Sequence, residues 1–340
     1  MFTTPKQLVI NALQHQHNDF CPYTIWIKDP SLRAMFSHYY GVGDIYQQII
    51  TNHIEFCGHI KALHNPLSDN VVQDEFGSRI KHGFIPHVIK PALEYPTLEG
   101  YHFPDLTTEM HFAGIAEKTR KFSDRFRIVQ LLELFFERAW NLRGTETFLM
   151  DILYEPKFVE ALLDNLMVLM LKCIDKILTD HSDNIEAIGW TDDYGGQTGL
   201  LINPNTWRKM FKPRLKIICE RIRLGGKYVY FHSCGNIEAI LEDLIEIGVD
   251  IINPIQPETM DIFKLKRNYG RDITFFGGIG TQHNLVNGTP NQVTDEVIHC
   301  IRKVGKSGGL IVAPAKEIMP EVPFDNAIAL IQALTKQNFQ

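Results

Sequence analysis

Tyr228-Val229-Tyr230-Phe231-His232-Ser233-Cys234-Gly235-Asn236 is a short apolar run that stops abruptly in a histidine, a cysteine and a glycine. Successive side chains of a β-strand alternate between faces, so His232 and Cys234 fall on one face and Ser233 on the other. An imidazole nitrogen beside a thiol sulfur can hold a borderline metal such as zinc. Two residues are half of such a site, and the same spacing would suit a core cysteine next to a hydrogen-bonded histidine. Gly235 breaks the strand, and Asn236 is placed to N-cap the amphipathic stretch 237–245. The pair is therefore expected at the C-terminal end of a strand, where α/β proteins keep their chemistry.

Outward from this stretch the text is regular. Strands are expected at 128–132, 185–190, 228–231, 251–253, 273–276 and 310–312, with amphipathic helices between them, including 145–153 and 156–178, the latter with Pro156 in its first turn. Apolar strands alternating with helices predict a parallel sheet covered by helices. At this length the repeat favours a single (β/α)8 TIM barrel over an open sheet. Residues 6–15 read as a helix and 23–27 as a strand. The stretch from about 30 to 110, rich in Pro, His and aromatic residues, reads as loops and short helices covering one rim. No linker marks a second domain, so residues 1–110 count as cover and first barrel elements, and 111–340 as the rest of the same barrel. The histidines His38, His53, His59, His64, His82 and His87 lack metal spacing and are expected to be exposed or hydrogen-bonded.

Composition narrows the function. The chain has 340 residues, 44% hydrophobic, and a net charge of −6 with acids and bases interspersed, which gives no basic stripe for nucleic acid. No run of about 18 apolar residues or signal-peptide pattern is present, so a soluble, cytoplasmic protein without a membrane partner is expected. The six cysteines form no CxxC pair and are expected to be free thiols. Oligomeric state stays open, a homodimer included.

The residues just past the strands point to a site: Thr191-Asp192-Asp193, His232-Ser233-Cys234, Pro254-Ile255-Gln256, Gly277-Gly278-Ile279-Gly280 and Pro314-Ala315-Lys316-Glu317. In a barrel these converge on one mouth. Asp192 and Asp193 fit a substrate-binding or general-base pair, or one caps a turn while the other is solvated, with function favoured for at least one. Asn253 and Gln256 could orient a ligand or bond to loop backbone. Gly277 and Gly278 would allow close approach of a ligand or backbone, or make a tight turn. Lys316 would meet a substrate anion or one of the two aspartates. Glu137 and Arg138 with Arg143 read as an internal ion-pair set.

Taken with Leu134-Phe135-Phe136-Glu137-Arg138-Ala139-Trp140-Asn141-Leu142-Arg143-Gly144, Asp192-Asp193-Tyr194-Gly195-Gly196-Gln197-Thr198, Phe211-Lys212-Pro213-Arg214, Asn253-Pro254-Ile255-Gln256-Pro257, Phe276-Gly277-Gly278-Ile279 and Ala313-Pro314-Ala315, the chain resembles the uroporphyrinogen decarboxylase superfamily. Within it the resemblance is to the corrinoid-dependent methyltransferases, including methylcobamide:coenzyme M methyltransferases and O-demethylases, and it covers residues 130–330 best. The decarboxylases' arginine-rich motif Met-Arg-Gln-Ala-Gly-Arg is absent, and bidentate Arg recognition is hard to replace. The resemblance implies zinc on His232 and Cys234, a corrinoid carried by a partner protein, and a small-molecule methyl donor or acceptor. It places the branch's second cysteine where Lys316 stands, and a protonated lysine cannot ligate. Glu317 is taken as the replacement ligand, with Glu321, Asp192, Asp193 and His283 as alternatives. A site with one thiolate and more oxygen or nitrogen ligands would carry less negative charge if one anionic ligand is lost, leaving a stronger Lewis acid suited to polarising an ether oxygen, so demethylation of a methoxylated molecule is expected ahead of thiol methylation. A metal-free decarboxylase and a non-catalytic ligand-binding barrel are the competing readings.

Overall fold

The structure is a computed structural model that describes residues 3–83 and 86–337. In chain order the strands are β1 (Ile54–Ile60), β2 (His64–Ser68), β3 (Val71–Asp74), β4 (Arg79–Lys81), β5 (His87–Lys90), β6 (Phe126–Leu131), β7 (Ala187–Thr191), β8 (Tyr228–His232), β9 (Ile251–Ile255), β10 (Thr274–Ile279) and β11 (Leu310–Pro314). Seven of them form one parallel sheet in the order β1-β6-β7-β8-β9-β10-β11. From β6 onward sheet order is chain order, and the connections carry helices such as Pro156–His181, Lys212–Leu224, Glu238–Glu246 and Pro290–Cys300. Every residue of β6, β10 and β11 is buried, as expected when apolar layers cover both faces of parallel strands.

Two cores result. The larger lies between the sheet and its helices; a smaller inner cluster gathers Ile54, Ile128, Ala187, Tyr230, Ile251, Phe276 and Ile311 on the other face. The helix Pro5–Leu13, capped by Thr4 and opened by Pro5, inserts Val9 into the inner cluster. It sits at the strands' N-terminal ends, where Lys6 N–H donates to the Asp124 carbonyl and Gly309 N–H to the Ala12 carbonyl. That end is blocked by packing, which leaves the C-terminal ends for chemistry. No helix among the described residues is long and apolar enough to cross a membrane.

The N-terminal third departs from expectation in two ways. Residues 23–27 do not form a regular strand: a single parallel bridge joins Tyr23 to Val312 of β11, and the Tyr23 carbonyl accepts the His53 N–H at 3.1 Å. Asn52 occupies the next backbone positions instead, its Oδ1 accepting from Ile25 N–H at 2.8 Å and its Nδ2 donating to the Ile25 carbonyl at 3.0 Å. Nor is the region to residue 110 only loops and short helices. It contains β1 and a four-stranded antiparallel sheet, β2-β3-β4-β5. These strands escaped reading because β2 is exposed throughout and contains Pro66, while the alternating β3 is only four residues long.

Candidate metal centre at the C-terminal ends of the strands

β8 delivers His232 at its last position, and the chain turns immediately after it. Ser233 points away: its buried Oγ accepts the Tyr194 N–H at 3.0 Å. Cys234 returns to the His232 side, with Sγ 3.6 Å from His232 Nε2. Gly235 adopts φ +80°, and a Cβ there would stand 2.3 Å from the Gly195 carbonyl oxygen. Only glycine permits this crossing of two loops. The helix opens later than expected, at Glu238, with Ile237 in the cap position; Asn236 Oδ1 still accepts the Glu238 N–H at 3.1 Å.

The paired aspartates that end β7 separate into two jobs. Asp192 is fully buried and accepts the N–H groups of Phe135 (3.2 Å), Phe136 (3.0 Å) and Glu137 (2.8 Å), with the Tyr194 hydroxyl at 2.6 Å. It thus satisfies the orphan amides that open the helix Phe136–Arg143. Burial pushes its carboxyl up to about 7 against the opposing pull of the phenol and amides. Asp193 is half-buried and faces the histidine: Oδ1 accepts the Cys234 N–H at 2.7 Å and lies 3.9 Å from His232 Nε2.

Asp193, His232 and Cys234 therefore each offer a ligand atom, all within 4.8 Å of one another. Tetrahedral zinc with bonds of about 2.0–2.3 Å sets its ligand atoms roughly 3.3–3.8 Å apart. His232 Nε2 is already at that spacing from Cys234 Sγ, at 3.6 Å, and just beyond it from Asp193 Oδ1, at 3.9 Å, so the donor set fits a zinc ion. Its charge fits too. Burial pushes the Cys234 thiol up to about 12, reinforced by Asp193 and Glu137, while the Lys316 charge opposes it. The side chains that face one another here are acids and a thiol, an arrangement that a divalent cation would relieve.

Glu137 is the residue the sequence did not disclose. It was expected to pair with Arg138 and Arg143, but Arg138 binds Asp74 at 2.8 Å and also Glu133, and Arg143 binds Asp151 at 2.6 Å. Glu137 instead accepts the Asp193 backbone amide, and its carboxyl is raised to about 9 by burial, then by Asp193, Asp192 and Glu133. The available signal was its place at the start of the helix that Asp192 caps, opposite the second aspartate.

Several expected ligand contacts are scaffold contacts. Asn253 Oδ1 lies 2.7 Å from His232 Nδ1 and 2.8 Å from the Tyr230 hydroxyl, and its Nδ2 donates to the Phe276 carbonyl at 3.2 Å. Gln256 Oε1 accepts the Gly235 N–H at 2.6 Å, holding the loop under Cys234. A Cβ on Gly277 would meet the Ile255 backbone nitrogen at 2.7 Å, and one on Gly278 would meet Ile262 and the Cys300 sulfur. At both glycines the space a Cβ would fill is taken by neighbouring protein, the close approach that was one of the two expectations. Glu317, the expected third ligand, is outside the group; Lys28 holds its carboxylate at 2.9 Å. His283 and Glu321 are exposed and also outside it. Lys316 is exposed beyond the end of β11, close enough for its charge to reach Cys234. All six cysteines are free, five of them buried and Cys234 partly exposed.

A parallel α/β sheet with a cluster of potential metal donors at the C-terminal ends of its strands defines an enzyme-like scaffold. The chain belongs to the uroporphyrinogen decarboxylase (URO-D) family, whose model matches residues 71–337. Its relatives there carry methyltransferase names. It is 26% identical over 134 residues to the methylcobamide:CoM methyltransferase MtaA of Methanosarcina barkeri, covering 39% of this chain and 37% of that one. It is 22% identical over 253 residues to a methylated-thiol–coenzyme M methyltransferase of Methanosarcina mazei, covering 73% of this chain and 64% of that one. The matches thus span about a third to two thirds of those relatives. A methyltransferase from Methanosarcina mazei shares the fold, with a TM-score of 0.69 at 16% identity, over 99% of this chain and 100% of that one.

Proposed function

We propose that this chain is a methyltransferase that moves a methyl group between a methoxylated or methylthio small molecule and the cobalt of a corrinoid carried by a separate protein. The carrying observation is the group Asp193, His232 and Cys234, whose ligand atoms lie within 4.8 Å of one another at the strand ends. In this reading Asp193 would take the place foreseen for Glu317, so an ion would have one imidazole, one thiolate and one carboxylate ligand, and tetrahedral zinc would keep a fourth position for a substrate atom. Bound there, zinc would supply Lewis acidity toward the ether oxygen or thioether sulfur that leaves the methyl group. The protein's own residues do the rest. Cys234 would hold the ion as its thiolate, its proton released to solvent on binding, while the Cys234 amide fixes Asp193 and Asp192 holds the start of the helix Phe136–Arg143. Lys316, exposed at the rim, would anchor an anionic substituent of the substrate.

A closed eight-fold barrel goes with this proposal, with residues 23–27 in the eighth position, supported by the Tyr23–Val312 bridge and the bond to His53. The test is methyl transfer from methoxylated aromatics to free reduced cobalamin. His232→Ala, Cys234→Ser and Asp193→Ala should each lose at least about a hundredfold in rate, and Lys316→Met should mainly raise KM for anionic substrates. Transfer that survives loss of both His232 and Cys234 would rule the mechanism out.

A further inference from the structure

Asn253 has no freedom in how its amide is oriented. The Phe276 carbonyl can only accept, so the group 3.2 Å from it must be the Asn253 NH2. The amide oxygen is then on the other side, where it meets His232 Nδ1 at 2.7 Å and the Tyr230 hydroxyl at 2.8 Å. An amide oxygen can only accept, so His232 Nδ1 must carry a proton and Tyr230 must donate. In the neutral ring the lone pair is left on Nε2, the nitrogen 3.6 Å from Cys234 Sγ and 3.9 Å from Asp193 Oδ1. Strand register builds this in: Asn253 is the residue directly across from His232 in the β8–β9 ladder, and Tyr230 is two residues before His232 on the same face. Tyr230 is 2% exposed and packs in the inner cluster, so its hydroxyl would be an unsatisfied buried group without Asn253.

We propose that Asn253, held by the Phe276 carbonyl and by Tyr230, is a positioning residue that fixes His232 in its Nδ1–H tautomer and so presents Nε2 to the metal centre. The inference rests on the zinc reading for its purpose but not for its geometry. A histidine free to exchange tautomers would spend part of its time with a proton on the coordinating nitrogen, and it would also be free to rotate. Outer partners of this kind are worth about 10–100-fold in metal affinity.

The experiment uses the metal-free full chain labelled with 15N-histidine, the His232 resonances being identified by their loss in His232→Ala. Long-range proton–nitrogen correlation near pH 8 should show Nδ1 protonated and Nε2 bare. Titration with Zn2+ alone then compares three variants. Asn253→Leu should mix the tautomers and weaken zinc binding about 10–100-fold. Asn253→Asp restores an acceptor and should keep both tautomer and affinity, and Tyr230→Phe should keep the tautomer because Phe276 still orients the amide. The wild-type spectrum alone decides the matter if Asn253→Leu does not fold. A proton found on Nε2, or an unchanged tautomer and affinity in Asn253→Leu, overturns the proposal. If the wild type shows the expected tautomer but binds no zinc, the relay stands and the zinc site falls.

Discussion

Asp192 and Asp193 are adjacent and chemically identical, yet alternation along the backbone sends one into the fold and the other into the site. Asp192→Ala would leave three backbone amides and the Tyr194 hydroxyl without their acceptor in a fully buried place. The expected cost is about 3 kcal/mol or more, read as a lower midpoint in urea unfolding. Asp193→Ala, at a half-buried position, should leave that midpoint within roughly 1 kcal/mol while weakening metal binding. A reversed pattern would mean that the roles are exchanged. The shared face of His232 and Cys234 was legible in the sequence because period-two alternation is local. Which aspartate would face them was not, since Asp192 is claimed by amides that lie more than fifty residues earlier in the chain. Glu137 was hidden for a related reason: its neighbouring arginines have partners elsewhere, on the unforeseen strand β3 and on the next helix.

The turn after β8 and the turn after β7 lean on each other, and both are glycine where they cross. In Gly235→Ala the left-handed backbone would cost about 1–2 kcal/mol, and the new methyl would collide with the Gly195 and Gly196 carbonyls besides. Chemical denaturation should show the loss of stability, and zinc titration should show weakened binding even where folding persists, because Cys234 must shift with the loop. Undiminished zinc affinity in Gly235→Ala would show that the loop crossing does not hold the ligand. The strands and helices from β6 onward were readable because their apolar runs are long and bounded by glycine and proline. The four-stranded sheet of β2 to β5 was not, since β2, β4 and β5 are short and largely exposed and the alternating β3 has only four residues, too few to carry a periodic signal.

At the scale of the molecule, the antiparallel sheet is tied to the main body by Arg138, whose guanidinium bonds to Asp74 and lies 4.2 Å from the Phe76 ring. Both charged side chains are almost fully buried, so Arg138→Leu would strand the Asp74 carboxylate. A loss of roughly 3–5 kcal/mol is expected, with early proteolysis within residues 60–90. His53 joins the Tyr23 segment to the sheet, its ring packed edge-on to Tyr23 at 4.7 Å. Burial, with the Arg125 charge nearby, holds its pKa at about 4 against an ordinary value of 6.5. The unfolded chain therefore binds this proton first as pH falls, and the stabilising effect, complete above about pH 6.5, is lost progressively toward pH 4. Up to about 3 kcal/mol is at stake at 1.36 kcal/mol per pKa unit. Thermal unfolding across that range should show a steeper acid loss in the wild type than in His53→Gln; equal slopes would remove His53 from the account.

If His232, Cys234 and Asp193 hold a functional zinc ion, elemental analysis of protein purified without chelator shows it most directly. The expected result is about one zinc per chain in the wild type and none in the His232→Ala/Cys234→Ser double variant. A wild type without metal, or a double variant that keeps it, would contradict the claim.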